Sequence, residues 1–260
     1  MEETILQGAI DMHVHAAPDV LERKYTEWQL QQLYAEAGMS GYISKCHAND
    51  TAGRAAVLMA RKPPVTIYGA LVLNRSVGGL NPAAVEASAR LGGRIVWFPT
   101  IDAISILGEN GKPLPVVYDI LEIIKKYDLI LATGHLPAAE ARLLLQAGAA
   151  CGVRKMIATH VSLPMTKADL ALQQEYLSYG ACLEHCFYTP FYGLGTMKEI
   201  AESIRQAGPE HIILSSDMGQ PEGLTPPEGL MAFARQLQAL GISREALRTI
   251  FVDNPRRLLA

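Results

Sequence analysis

The chain has 260 residues, 49% of them hydrophobic and 19% charged, with a formal net charge of -3. This excludes a disordered chain, which needs low hydrophobicity and high net charge, and the length lies near the ~250 residues of one eight-fold β/α barrel. No run of Lys or Arg exceeds two residues, so the positive charge that nucleic acid or an anionic membrane requires is nowhere concentrated.

The start, MEETILQGAI, opens on acids and lacks the basic and apolar regions of a signal peptide. No stretch reaches the ~18 consecutive apolar residues of a membrane span. The cysteines, Cys46, Cys151, Cys182 and Cys186, form no CxxC pair and read as free thiols of a reducing compartment. A soluble cytoplasmic protein is expected.

Short apolar runs then alternate with helical patterns. The strand candidates are IDMHVH (10–15), GYISKC (41–46), VTIYGALVL (65–73), GRIVWF (93–98), DLILAT (128–133), KMIATH (155–160), ACLEHC (181–186) and HIILSS (211–216). They are continuous rather than alternating, as expected of parallel strands buried on both faces. Between them, residues 26–38 place Trp28, Leu30, Leu33, Tyr34 and Ala37 near one helical face, with Gly38 as the C-terminal cap. Residues 114–127 repeat that spacing, and 137–148 open on Pro137 and end on Gly148. Further helices are expected at about 166–179, 196–207 and 227–240.

Eight strand–helix units in this length predict a single-domain α/β fold, a (β/α)8 TIM barrel. A doubly wound sheet uses the same local elements, so the placement of polar residues decides. The longer connections, 74–81, 99–113, 187–195 and 217–226, all follow strands, on the side where a barrel builds its active site.

Asp11-x-His13-x-His15 ends the first strand, and period-two spacing points both imidazoles to one face, where they can reach one metal ion. His135 closes the fifth strand candidate, His160 the sixth, and Asp217 follows the eighth. Lys45 and His47 end the second, and His185 lies at the end of the seventh. Six of the seven histidines thus fall at strand C-terminal ends, and only His211 belongs to the opposite face. A barrel gathers those ends around one mouth.

This ordered set resembles the amidohydrolase superfamily of metal-dependent barrel hydrolases, and the resemblance runs over nearly the whole chain. It implies His13, His15, His135, His160 and Asp217 as metal ligands, and a divalent metal cofactor, one ion or two. Zinc is expected, with manganese, iron and nickel open to the same donors. In one respect the chain departs from the superfamily. The fourth strand ends in Trp97-Phe98-Pro99-Thr100 and offers neither the Lys nor the Glu that bridges two metals in many members. Lys45 is the rim lysine available as a substitute.

On this reading Asp217 orients a metal-activated water and accepts its proton, while His160, His185 or Lys45 stabilises charge on the attacked oxygen. Asp11 is expected to orient a ligand histidine. Lys45, His47 and His185 are candidates for further metal or substrate contacts, with an ordinary rim position the alternative for His47. Arg54, Arg75 and Tyr188, after strands two, three and seven, are candidates to meet a substrate. Cys46 and Cys186 are assigned to packing, because period two turns them away from Lys45 and His185. In the tail, Asn254 and Pro255 are read as structural and Arg256 and Arg257 as solvated.

The expected activity is hydrolysis of an amide, ester, lactone or phosphoester in a small molecule. A metal-dependent lyase that decarboxylates a small organic acid is the alternative, and a barrel that binds metal or ligand without catalysis is the third reading. A homodimer is the default assembly.

Overall fold

Eight parallel strands, each hydrogen-bonded to the next in chain order, form the core of the computed structural model, which describes residues 4–260. The acidic start of the chain, residues 1–3, lies outside the described residues. The strands are β1 (Ile10–His15), β2 (Gly41–Lys45), β3 (Thr66–Val72), β4 (Gly93–Trp97), β5 (Ile130–Ala132), β6 (Met156–Ala158), β7 (Ala181–Cys186) and β8 (Ile212–Ser215). Backbone bonds from Asp217 N–H to His13 O and from His15 N–H to Met218 O bring the last strand's exit back against the first. The fold is therefore the expected (β/α)8 barrel.

Helices α1 (Glu27–Glu36), α2 (Ala52–Met59), α3 (Pro82–Arg90), α4 (Pro115–Lys126), α5 (Ala138–Cys151) and α6 (Leu170–Ser178) follow the first six strands. Short α7 (Tyr188–Phe191) precedes α8 (Met197–Ala207), and α9 (Pro226–Ala239), α10 (Arg244–Arg248) and α11 (Asn254–Leu259) complete the ring. α2 turns Ala52, Ala55 and Leu58 inward, and α3 turns Val85 and Ser88. No helix among the described residues is long and apolar enough to cross a membrane.

Two apolar layers hold the barrel. One lies between strands and helices and includes Leu30, Tyr34, Leu121, Leu144 and Phe233. The other fills the interior with Met12, Ile43, Val72, Trp97, Ile130 and Ile213, and Leu258 and Leu259 from α11 join it. Asn254 fixes α11 by donating through Nδ2 to Pro209 O (2.7 Å) and Ile212 O (2.8 Å), while Arg256 and Arg257 are exposed, as expected.

Three local expectations need correction. Trp28 is 48% exposed, and the buried face of α1 instead carries Glu27, Leu30, Gln31 and Tyr34. Glu27 is drawn inward because Tyr42 and Ser44 both donate to its carboxylate. α5 runs past Gly148 to a left-handed Gly152, since a side chain at 148 would press on Leu131 and Met156. Strands β5 and β6 are shorter than predicted, so His135 and His160 stand in the turns after them.

Candidate metal centre

The mouth begins with an irregularity in β1. Its pairing with β2 shifts register between Asp11 and Val14. Met12 therefore packs in the barrel interior, while Val14, two residues on, packs outward against the helix layer. A strict alternation would put His13 and His15 outside with Asp11, and the shift turns both inward at the top. Asp11 secures this bend: its Oδ1 accepts from the backbone N–H groups of His13 (3.2 Å) and Ser216 (3.0 Å), and its Oδ2 from Tyr34 OH (2.6 Å). It thus orients His13 through the backbone that carries it.

His13 and His15 are buried, and both present Nε2 to a single oxygen, Asp217 Oδ1, at 3.0 and 3.1 Å. The tautomer of His15 follows from its other nitrogen. Nδ1 lies 3.0 Å from the carbonyl of Lys45, so it must donate there, and Nε2 is left as a bare lone pair facing a carboxylate. Burial lowers the pKa of His15 to about 4, against the weaker pull of Asp217, so the ring is neutral. Burial alone would raise the Asp217 carboxyl, but the neighbouring imidazoles outweigh it and hold the group well below the usual carboxylate range.

His160 Nε2 approaches Asp217 Oδ2 at 3.5 Å, and the rings of His160 and His135 meet at 5.2 Å between centroids. Both residues are kept neutral chiefly by burial, His135 with a pKa near 3 and His160 well below its ordinary value. His135 Nε2 and His160 Nδ1 are buried without a hydrogen-bond partner. Backbone geometry sets the reach of these groups: His160 and Asp217 adopt left-handed conformations, with φ of 55° and 51°. Gly134 (φ 63°) makes the same kind of turn before His135.

On the far side of His13 stands a group that strand reading missed. Glu184 of β7 faces the interior, its Oε2 3.4 Å from His13 Nδ1 and its Oε1 accepting from Ser215 Oγ at 2.7 Å. Cys186, two residues on, brings Sγ to 3.7 Å from the same nitrogen. Burial, then the charges of Glu184 and Asp217, push its thiol well up. The packing role given to Cys186 thus needs correction, because the inward residues of β7 are Cys182, Glu184 and Cys186. Cys46 points the other way, toward Asp19.

His185 accordingly turns outward and is not on the rim. It is buried between Ser162 Oγ (3.1 Å from Nδ1) and Ser203 Oγ (2.9 Å from Nε2), beside a cavity of about 640 Å³ between α6 and α8. His47 does reach the mouth. Its Nδ1 is 2.8 Å from Thr100 Oγ1, and its ring centroid is 4.8 Å from that of His15.

Lys45 is wholly buried, its Nζ 2.8 Å from His13 Nε2 and 5.1 Å from the centre of the Trp97 ring. Burial lowers its pKa. Trp97 fills the fourth-strand position at this level, and its indole N–H has no partner.

The three residues proposed to meet substrate divide. Tyr188 is half-buried by the mouth, its phenol pKa raised by burial and then by the charge of Asp217. Arg54 points away: it donates through Nη1 to Pro18 O (2.7 Å) and lies 3.1 Å from the Glu27 carboxylate, tying the loop after β1 to α1. Arg75 is exposed, and the contact it makes to Asp102 is through its backbone N–H. A cleft of about 320 Å³ opens beside His135, walled by Thr100, Ile101, Ile104, Leu136 and Met165.

Among the described residues, the ligand atoms of His13, His15 and Asp217 lie within 4.8 Å of one another, as do those of His13, His160 and Cys186. The bare lone pair of His15 faces a carboxylate and two more ring nitrogens are orphaned, so the donor set fits a divalent cation.

The fold is shared with several solved structures. The chain aligns with an amidohydrolase from Pseudomonas aeruginosa at a TM-score of 0.73 and 12% identity, over 98% of this chain and 96% of that one. A probable dipeptidase of the same organism aligns at 0.72 and 10% identity, over 96% and 94%. A 2,6-dihydroxybenzoate decarboxylase from Rhizobium aligns at 0.62 and 14% identity, over 97% and 98%. No curated protein matches the chain in sequence. One family profile does, over residues 8–184, a span that takes in every residue of this centre named above except Cys186, Tyr188 and Asp217. By that match the chain belongs to DUF6282, a family of unknown function.

Proposed function

We propose that the chain is a metal-dependent hydrolase of a small molecule, with His13, His15 and Asp217 holding the first divalent ion. The observation that carries this is the convergence of His13 Nε2 and His15 Nε2 on one oxygen of Asp217 at 3.0 and 3.1 Å. His15 Nε2, a bare lone pair, faces that carboxylate oxygen, and a cation between them would relieve the repulsion. His135 and His160 extend the site, with room for a second ion or for substrate. Imidazole-rich, carboxylate-completed donors suit zinc.

The ion would supply Lewis-acid activation of a water molecule. Asp217, kept ionised, takes the proton of that water at Oδ2 and passes it to the leaving group. His160 and His47 border the space above Asp217 and stabilise charge on the attacked oxygen. Trp97 and the buried strand ends keep bulk water out of the barrel floor. The cleft beside His135 receives the departing part of the substrate. An amide, ester, lactone or phosphoester all fit this scheme, and the shared fold with an amidohydrolase and a dipeptidase supports it.

Decarboxylation is the second reading. It is favoured by Trp97, which occupies the fourth-strand position where a bridging carboxylate would otherwise bind a second ion, and by the shared fold with a decarboxylase.

The test is metal analysis of protein purified without chelator, followed by activity panels. At least one equivalent of zinc is expected, lost in His13→Ala and Asp217→Asn, with turnover of an ester, lactone, amide or phosphotriester. Carbon dioxide release from aromatic acids without hydrolysis would replace the first reading by the second. Protein that takes up no metal would overturn both.

A further inference from the structure

The loop joining β1 to α1 carries a cation that the scheme above does not use. Arg23 is tucked under this loop with its side chain 5% exposed, while Val20 and Leu21 beside it are 71% and 45% exposed. Its Nε donates to Asp19 Oδ2 at 2.7 Å, and the Asp19 side chain is itself fully covered. Its Nη2 is buried and has no partner. A guanidinium has five N–H donors in a planar fork, and a buried donor left unpaired is unfavourable, so this arrangement is incomplete as it stands.

The loop is fixed against the metal centre from two sides. Lys24 N–H donates to Gly219 O at 3.0 Å, and Gly219 lies directly on the His15 carbonyl, two residues past Asp217. Asp19 is hydrogen-bonded to Cys46, the neighbour of Lys45. The guanidinium therefore lies close enough to His15 and Lys45 for its charge to bear on both.

We propose that Arg23 is the substrate-recognition residue of this mouth and that the substrate carries a carboxylate, received by the free Nη2 side of the fork. The proposal rests on the hydrolase or lyase reading of the same site. Arginine suits this task because its planar edge matches a carboxylate, and its charge persists when buried. A carboxylate is favoured over a phosphate because Asp19 already offsets the guanidinium charge, and Asp217 and Glu184 add two more acids nearby. At the fork itself the remaining positive charge matches one carboxylate group, with its single charge, better than a doubly charged phosphate group.

The probes are succinate, its neutral diamide succinamide, and inorganic phosphate, titrated calorimetrically into metal-loaded protein. Wild type is expected to bind succinate at least tenfold more tightly than succinamide or phosphate. Arg23→Met should lose that preference, and Arg23→Lys should restore part of it, with metal content unchanged in both. Equal affinity for succinate and succinamide, tighter phosphate, no succinate binding, or a preference surviving in Arg23→Met would each overturn the proposal. Should Arg23→Met unfold, the wild-type ratio and the Arg23→Lys variant decide it. Absence of metal in wild type would sink the hydrolase and lyase readings but not the carboxylate site, since the succinate preference can be read on metal-free protein.

Discussion

Lys45 Nζ lies 2.8 Å from Nε2 of His13, the same ring nitrogen that faces Asp217 Oδ1 at 3.0 Å. The two nitrogens share one proton, and a metal ion that takes the His13 lone pair must displace it. Lys45 thus competes with the metal. Lys45→Met is expected to bind the first zinc about tenfold more tightly, since a hydrogen bond to a charged group contributes roughly 1.5–3 kcal/mol. Competition against a chromogenic chelator measures this. A loss of metal stoichiometry in the variant would instead make Lys45 a ligand.

Glu184 accepts from His13 Nδ1 and so keeps Nε2 turned to the metal. Partners of this kind typically change metal affinity by about 10–100-fold when removed. Glu184→Ala is expected to fall in that range and Glu184→Gln, which keeps an acceptor oxygen, to lose less. Zinc titration beside circular dichroism separates this from misfolding. Equal affinity in all three proteins would leave Glu184 with no part in orienting His13.

His185 offers a test by pH. Burial among neutral groups drives its pKa down to about 3, from an ordinary ~6.5 in the unfolded chain. A depressed histidine favours the neutral form in the fold. Its contribution is complete above pH ~6.5 and is lost as pH falls toward 3, at about 1.4 kcal/mol per unit. Between pH 7 and pH 5, metal-free wild type should lose about 2 kcal/mol more than His185→Gln in urea unfolding. Parallel losses would mean that His185 is not held neutral.

Gly134→Ala should be poorly tolerated. Its φ is 63°, and an added Cβ would fall on the Phe98 carbonyl oxygen, with Pro99 O at 2.7 Å. The left-handed conformation alone costs an alanine roughly 1–2 kcal/mol, and the clash adds to it. A loss of about 3 kcal/mol or more is expected by denaturant titration, with weaker metal binding because His135 is the next residue. An unchanged midpoint would show that the turn relaxes freely.

The strands, the barrel and the histidines are legible in the chain because buried parallel strands are continuous apolar runs and a barrel collects their ends. What escapes is phase. In ACLEHC either Glu184 or His185 can face inward, and a histidine beside other rim histidines draws the eye. The outcome rests on Ser162 and Ser203, whose hydroxyls satisfy His185 on the helix side, and on His13, which needs an acceptor within. The acid alone does not decide the phase, since Asp11, also a mid-strand carboxylate, faces the helix layer, where Tyr34 satisfies it. Arg23 escapes for another reason. Within ERKY it looks like any solvated arginine, and its burial follows from how the loop is folded over the rim.

The register shift between Asp11 and Val14 makes β1 two half-strands of opposite phase. The lower half obeys the packing of the barrel floor, and the upper half answers to the ligands at the mouth. A change at Met12 is therefore read by the hydrophobic interior, whereas one at His13 is read by the chemistry, though the two are neighbours. The two halves can therefore be altered separately. Deleting Met12 would restore a single phase along the strand and keep both imidazoles inward, with His13 taking the floor position that Met12 gave up.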